Sequence, residues 1–301
     1  MMVRQMGPGE WRHDESMAHH VSWRAGGPAR SLYHPRHRQD FVDFLERQAT
    51  EQDILVFGLG SNLLVRDGGI NATLVQMHGA LKGVVRQDDE DCWVIEAGVP
   101  APKVARLVAR AGYAEAEFLA GIPGTMGGVL AMNAGCYGRE VWSYVRAVET
   151  VNRRGQLRWR RAAEYDIGYR SVRLKADPGS TEWFVAAQLC FPRGDATLSL
   201  ETMRALLARR VKEQPLGLPN AGSVFRNPPG DYAARLIEQC GLKARRVGDA
   251  EVSPKHANFI VNRGQASAED IETLIQDVQQ QVQQHFGIGL HPEVCIVGER
   301  R

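Results

Sequence analysis

The sequence predicts an α+β protein of two or three domains. Three observations predict it. The chain has 301 residues, and single hydrophobic cores stop growing at roughly 250–300 residues. Segments of helical period and segments of strand character both occur along its length. Periodicity breaks at residues 214–219 (QPLGLP), where two prolines and a glycine mark the best candidate domain boundary.

The elements follow in order. Asp40 is placed to cap a helix with Phe41, Phe44 and Leu45 on one face. Residues 53–57 (DILVF) read as a buried strand ending at Gly58, 63–65 as a second, 72–77 (ATLVQM) as a third and 92–97 (CWVIEA) as a fourth. Pro100 and Pro102 open a helix whose Val104, Leu107, Val108 and Ala111 share one face, stopped by Gly112. Residues 147–151 and 156–160 form a hairpin around Arg153-Arg154-Gly155, and 183–191 form a strand. Ser199 is placed to cap a helix carrying Met203, Leu206, Leu207 and Val211. A helix over about 232–240 is closed by Gly241, and 258–262 (NFIVN) make a short strand. The capping box Ser267-x-x-Asp270 opens a helix with Ile271, Leu274, Ile275, Val278 and Val282 on one face, ended by Gly287. Residues 293–297 (EVCIV) form a terminal strand.

Composition narrows the function. Hydrophobic residues make up 44% and charged residues 24%, as in ordinary globular proteins. A net charge of +2 is too small to imply nucleic acid or a membrane surface. An anionic ligand must then be held by local basic groups. The N-terminal residues lack the apolar run of a signal peptide, and residues 1–18 read as disordered. The uncharged stretch 118–138 holds six glycines and is too interrupted for a membrane span. Five cysteines are scattered, odd in number and without a CxxC pair, so they read as free thiols in a cytoplasmic protein. The histidines show no metal spacing, and no metal is expected.

Four segments could carry chemistry. In Val56-Phe57-Gly58-Leu59-Gly60-Ser61-Asn62 a strand runs into a glycine turn. Position 63 is Leu and the next residues read as strand, so this is not a Rossmann fingerprint; a phosphate nest and an ordinary tight turn both remain open. The stretch 121–138 removes side chains along one path, which allows either close approach to a large ligand or close packing of elements. In 165–171 (YDIGYRS), Arg170 beside Tyr169 could hold a carboxylate or phosphate, or be a solvated surface arginine. In 221–228 (AGSVFRNP), Ser223 is no nucleophile elbow, since Gly-x-Ser-x-Gly is missing.

Together these motifs resemble a known family. VFGLGSNLLV, AGIPGTMGG, NAGCYG, YDIGYR, AGSVFRNP, VSPKHANFIVN and HPEV occur in one order from about Ser22 to Val297. That order resembles the UDP-N-acetylenolpyruvoylglucosamine reductases, also called UDP-N-acetylmuramate dehydrogenases, of bacterial peptidoglycan synthesis. The resemblance implies an FAD-binding fold of the vanillyl-alcohol-oxidase type in two subdomains, plus a C-terminal α+β substrate-binding domain. The expected divisions are 19–79 and 80–213 for the FAD subdomains and 214–288 for the substrate domain. Residues 289–301 would be a terminal strand returning a catalytic glutamate. The implied cofactor is bound FAD, with NADPH as co-substrate and UDP-N-acetylglucosamine enolpyruvate as substrate. Neither nucleic acid, membrane insertion nor an obligate protein partner is implied.

Carried over residue by residue, Ser223 matches the serine that protonates C2 of the enolpyruvyl group, and Arg170 and Glu293 match the pair that stabilises the enolic intermediate. Gly58, Gly60, Ser61, Asn62, Gly121, Pro123, Gly124, Thr125, Gly127, Asn133 and Gly135 match flavin-contacting segments. Tyr169, Arg226, Asn227, Lys255, His256 and Asn258 are the expected substrate contacts. The chain departs from the family where Arg226 replaces the usual lysine and Asn220 a common serine. The short interval between Arg170 and Ser223 resembles the subclass without a tyrosine-bearing loop. Two rival readings are a different FAD oxidoreductase acting on a sugar or lactone, and a silent nucleotide-binding protein. AGSVFRNP with Glu293 argues against the first, and the filled catalytic positions argue against the second.

Overall fold

The computed structural model describes residues 9–48, 52–87 and 91–301. Along the chain, β1 (Glu10–Ser16) and β2 (Pro28–His34) precede α1 (Arg38–Arg47), then β3 (Ile54–Phe57), β4 (Leu63–Val65) and β5 (Ile70–Gln76). Next come β6 (Val84–Gln87), β7 (Cys92–Glu96), α2 (Ala101–Arg110), α3 (Met126–Ala131), β8 (Gly135–Cys136) and β9 (Arg139–Glu140). Strands β10 (Val145–Asn152), β11 (Leu157–Arg161), β12 (Tyr165–Gly168), β13 (Ser171–Leu174) and β14 (Glu182–Cys190) lead to α4 (Ala196–Glu213). The chain ends with α5 (Ala233–Gln239), β15 (Arg246–Val247), β16 (Ala250–Val252), β17 (Ile260–Asn262), α6 (Ala268–Phe286) and β18 (Cys295–Val297).

Contacts divide the chain into two compact units. The first holds residues 9–12, Leu32–Leu59 and Thr73–Ala208; the second holds His13–Ser31, Gly60–Ala72 and Arg209–Arg301. In the first unit a five-stranded sheet runs β11-β10-β14-β7-β6. One core packs α2 and α3 against this sheet through Val104, Val108, Met126, Leu130, Ile95 and Leu189. A second core gathers Tyr33, Phe41, Phe44 and Leu45 with Val75 and Val185. Strands β3 and β5 pair in parallel, Ile54 opposite Thr73. In the second unit, α5 and α6 pack Leu236, Ile237, Ile271, Ile275 and Val278 over the sheet β15-β16-β17. Trp23 joins that core and donates from its indole to Ile260 O at 2.8 Å.

Local signals account for several boundaries. Ser267 Oγ accepts from Asp270 N at 3.0 Å while Asp270 accepts from Ser267 N at 2.9 Å, and Gly287 closes α6 with φ 69°. Elsewhere the structure corrects the sequence reading. Asp40 does not cap α1: His37 is the cap residue, and Asp40 lies buried in the first turn, accepting from Arg36 N at 3.0 Å. Ser199 lies inside α4 and donates to Tyr113 O, while Asp195 accepts from Leu198 N at the helix start. Residues 9–18 are not disordered, since β1 runs through them and Trp11 packs 4.9 Å from the Tyr33 ring; residues 1–8 lie outside those described. Cys92 and Cys190 are not free thiols. They face each other in the β7–β14 register and form a disulfide.

Among the described residues, no helix is long and apolar enough to cross a membrane. No group of three or more His, Cys, Asp or Glu could hold a metal ion there.

Candidate active site

The first unit holds the glycine-rich segments, with bare backbone. A Cβ on Gly58 would sit 2.0 Å from Thr125 Oγ1, so the turn after β3 and the segment before α3 meet because residue 58 has no side chain. Thr125 is buried; the backbone beside it is fixed by Met126 N donating to Val99 O at 2.9 Å and Gly127 N to Ala97 O at 2.8 Å. Packing within the protein also explains three further glycines. A Cβ would lie 2.8 Å from Cys136 Sγ at Gly121, 3.1 Å from Ala97 Cβ at Gly127 and 2.4 Å from Arg139 O at Gly135. Pro123 and Gly128 are exposed, and a Cβ at Gly128 would meet nothing within 4 Å. Pro123 and Gly128 thus offer accessible surface on either side of the buried Thr125 and Met126, on a rigid footing that fits close approach by a large planar or phosphorylated group.

Asn133 is buried at φ 39°. Its amide donates to Glu140 Oε2 at 2.8 Å and accepts from Trp142 N at 3.3 Å. That side chain is engaged within the protein. Arg170 sits at φ 54° in the two-residue turn of the β12–β13 hairpin, between the paired Gly168 and Ser171. Its guanidinium lies 5.0 Å over the Tyr169 ring and donates to Asn133 O at 3.3 Å. The exposed Tyr169 thus props the arginine through a cation–π contact.

The second unit gathers the other polar residues. Gly60 has φ 61°, and a Cβ there would lie 2.1 Å from His20 O. Ser61 is half-buried in the same turn. Strand β4 pairs in parallel with β18, and Asn62 fastens the approach to β18, donating from Nδ2 to Glu293 O at 3.0 Å and accepting Cys295 N at 2.9 Å. Ser223 follows Gly222, whose φ of 76° reverses the chain. Asn220 shapes that loop by accepting Gly222 N and donating to Leu218 O at 2.7 Å. Glu293 N then donates to Val224 O at 2.7 Å. Ser223 and Glu293 are brought onto adjoining backbone segments although seventy positions separate them in sequence.

In the same unit, Asn227 Oδ1 accepts from Ala233 N at 3.1 Å and braces the start of α5. Arg226 Nε is buried with no hydrogen-bond partner among the described residues. Lys255 Nζ donates to Val211 O at 2.6 Å. His256 lies edge-on to Phe259 at 4.7 Å, and burial pushes its imidazole below the ordinary histidine range. The Asn258 amide is occupied by the backbone of Phe225.

Comparison with known proteins decides the family. Residues 29–160 match the model of an FAD binding domain, and residues 214–297 match the C-terminal domain of UDP-N-acetylenolpyruvoylglucosamine reductase. The UDP-N-acetylenolpyruvoylglucosamine reductase of Methylococcus capsulatus is 52% identical over 97% of this chain and 94% of its own. The chain belongs to the UDP-N-acetylenolpyruvoylglucosamine reductase family. The reductase of Alkalilimnicola ehrlichii is 51% identical over 98% of this chain and 97% of its own. The crystal structure of the reductase from Thermus caldophilus superposes with TM-score 0.77 at 31% identity, covering 96% of this chain and 98% of that one. The expected α+β fold with an FAD-binding domain is thereby established. Ser223 and Glu293 fall within the stretch that matches the reductase C-terminal domain, and Gly58 and residues 121–135 fall within the FAD-binding stretch.

Proposed function

We propose that this chain reduces UDP-N-acetylglucosamine enolpyruvate to UDP-N-acetylmuramate for peptidoglycan synthesis, with FAD bound and NADPH as co-substrate, in the cytoplasm. The observation that carries the reading is the Glu293–Val224 backbone hydrogen bond of 2.7 Å, which brings Ser223 and Glu293 together inside the stretch that matches the reductase C-terminal domain.

FAD would be held along residues 58–62 and 121–135, where bare backbone permits close approach. When bound and reduced by NADPH, FAD would supply the hydride for C3 of the enolpyruvyl group. Ser223 holds the proton that C2 receives; a hydroxyl is a weak acid, but a strongly basic carbon takes its proton at hydrogen-bond range. Arg170 counters the charge that develops toward the substrate carboxylate, most strongly in the transition state where that charge appears. Glu293 completes the pair that stabilises the enolic species. Arg226, Asn227, Lys255, His256 and Tyr169 supply polar and aromatic contacts to the nucleotide sugar.

The test separates two half-reactions. Under anaerobic conditions NADPH bleaches the yellow protein, and the enolpyruvyl nucleotide sugar then restores the colour. Ser223→Ala keeps the bleaching and loses the recovery. Protein that takes up no FAD would overturn the cofactor, and an equal loss of both half-reactions in Ser223→Ala would overturn the serine's role.

A further inference from the structure

We propose that Asn258 is a positioning residue for the reduction: its side chain replaces a missing β-strand and holds the backbone beside Ser223 in register with Glu293. This rests on the reading of Ser223 and Glu293 as catalytic residues.

The segment 224–226 is tied on one side to residues 291–293. Arg226 N donates to His291 O at 2.9 Å and Glu293 N to Val224 O at 2.7 Å, with Phe225 opposite Pro292 in an antiparallel bridge. In antiparallel pairing the hydrogen-bonding groups of alternate residues point to opposite sides. The N–H and C=O of Phe225 therefore point away from Pro292, to where another strand would continue the sheet. Asn258 stands there instead. Phe225 N donates to its Oδ1 at 2.9 Å, and its Nδ2 donates to Phe225 O at 2.8 Å. Since a backbone N–H only donates and a carbonyl only accepts, this fixes which way the amide faces. The Asn258 main chain adds a third tie, accepting Val224 N at 2.9 Å. A primary amide thus acts as one peptide unit of an absent strand.

Burial makes the tie matter. Phe225 is 2% exposed and Asn258 is 4% exposed, so no water can readily replace the amide. Without it, two buried backbone groups lose their partners and bear the desolvation cost of being left unsatisfied. The segment would shift to regain them, and Ser223 adjoins it. With both ends of its amide engaged, Asn258 offers little to a substrate. A role as substrate contact would appear in substrate affinity; a role in alignment appears in the rate.

The experiment uses the full-length FAD-loaded protein in anaerobic stopped flow, with NADPH and then the enolpyruvyl nucleotide sugar. Asn258→Ala lowers the saturating reoxidation rate about 100-fold, the order expected for a misplacement of roughly 1 Å. Substrate half-saturation and flavin reduction change far less. In a Ser223→Ala background, adding Asn258→Ala costs much less than in the parent, because both act through one group. Asn258→Asp guards against loss of folding. Its protonated carboxyl has one donor and one acceptor, like the amide, so its reoxidation rate relative to the parent recovers as pH falls. A raised half-saturation with unchanged rate, an undiminished loss in the Ser223→Ala background, or an Asn258→Asp deficit constant with pH would each overturn the proposal. If Ser223→Ala itself left reoxidation intact, the catalytic reading would fall first and this inference with it. An impaired Ser223→Ala beside an unimpaired Asn258→Ala would overturn this inference alone.

Discussion

Gly58→Ala tests whether the two glycine segments of the first unit meet as described. The added Cβ would lie 2.0 Å from Thr125 Oγ1, 3.0 Å from its Cβ and 3.1 Å from its Cγ2. Thr125 cannot easily turn aside. It is 2% exposed, is stiff at χ1 as a β-branched residue, and its neighbours Met126 and Gly127 are bound to Val99 and Ala97. Overpacking of this kind costs about 1–3 kcal/mol. Alanine also restricts the unfolded chain, which offsets about 0.4–1 kcal/mol. That offset is common to every background, so a double-mutant cycle removes it. Thr125→Ala removes the Oγ1 and Cγ2 contacts and leaves only the Cβ at 3.0 Å, so Gly58→Ala becomes milder there by a coupling of about 0.5–3 kcal/mol. Thermal unfolding of the four proteins measures the cycle, and flavin absorbance of the same samples reports whether FAD retention follows. Equal destabilisation by Gly58→Ala in both backgrounds would refute the contact.

Gly60→Ala is harder to relieve, because its Cβ would lie 2.1 Å from the main-chain His20 O at φ 61°. It destabilises the second unit whatever side chain occupies position 20, and a rescuing substitution there would contradict this. The Cys92–Cys190 bridge leaves Cys136, Cys240 and Cys295 outside the disulfide, so thiol titration of denatured, unreduced protein finds three groups rather than five. The bridge spans 98 positions, and chain entropy for a loop of that size gives about 4.7 kcal/mol, which Cys92→Ser forfeits in part or whole. Glu272 is held below the ordinary carboxylate range, first by its hydrogen bonds from Arg66 and also by Arg300. A depressed folded-state pKa contributes stability that is full above the unfolded value of roughly 4.3 and is lost as pH falls through the folded value. Glu272→Gln therefore lowers the unfolding midpoint at neutral pH and converges with the parent in acid; a constant gap would contradict the assignment.

Much of the fold was legible where the signal is local. The Ser267 box and Gly287 mark α6 because capping uses residues three or four apart. The Arg153-Arg154-Gly155 turn marks the β10–β11 hairpin for the same reason. The β12–β13 hairpin was not read as one, because Tyr169-Arg170 lacks the usual turn glycine or asparagine. Strand β1 escaped because EWRHDES is mostly polar, with little alternation to reveal it. The disulfide escaped because it depends on which strands pair, and spacing in sequence does not encode that. At the candidate site, Ser223, Arg170 and Glu293 were named from motif order. That Asn62, Asn133 and Asn258 turn their amides onto their own protein was not legible, since an asparagine reads alike whether it faces a ligand or a backbone.

The pairing of β4 with β18 has a consequence for how the protein is made. Asn62 must wait for Glu293, 231 positions later. At typical elongation rates of about 5–20 residues per second, the ribosome delivers that partner roughly 10–50 s after the glycine turn emerges. Throughout that interval β4 is a nascent strand with its eventual partner still untranslated. A polypeptide cut short before Glu293 would carry the turn without the main-chain partner that Asn62 fastens. The β4–β18 pair therefore forms only after the α6 segment that lies between them in sequence has been made.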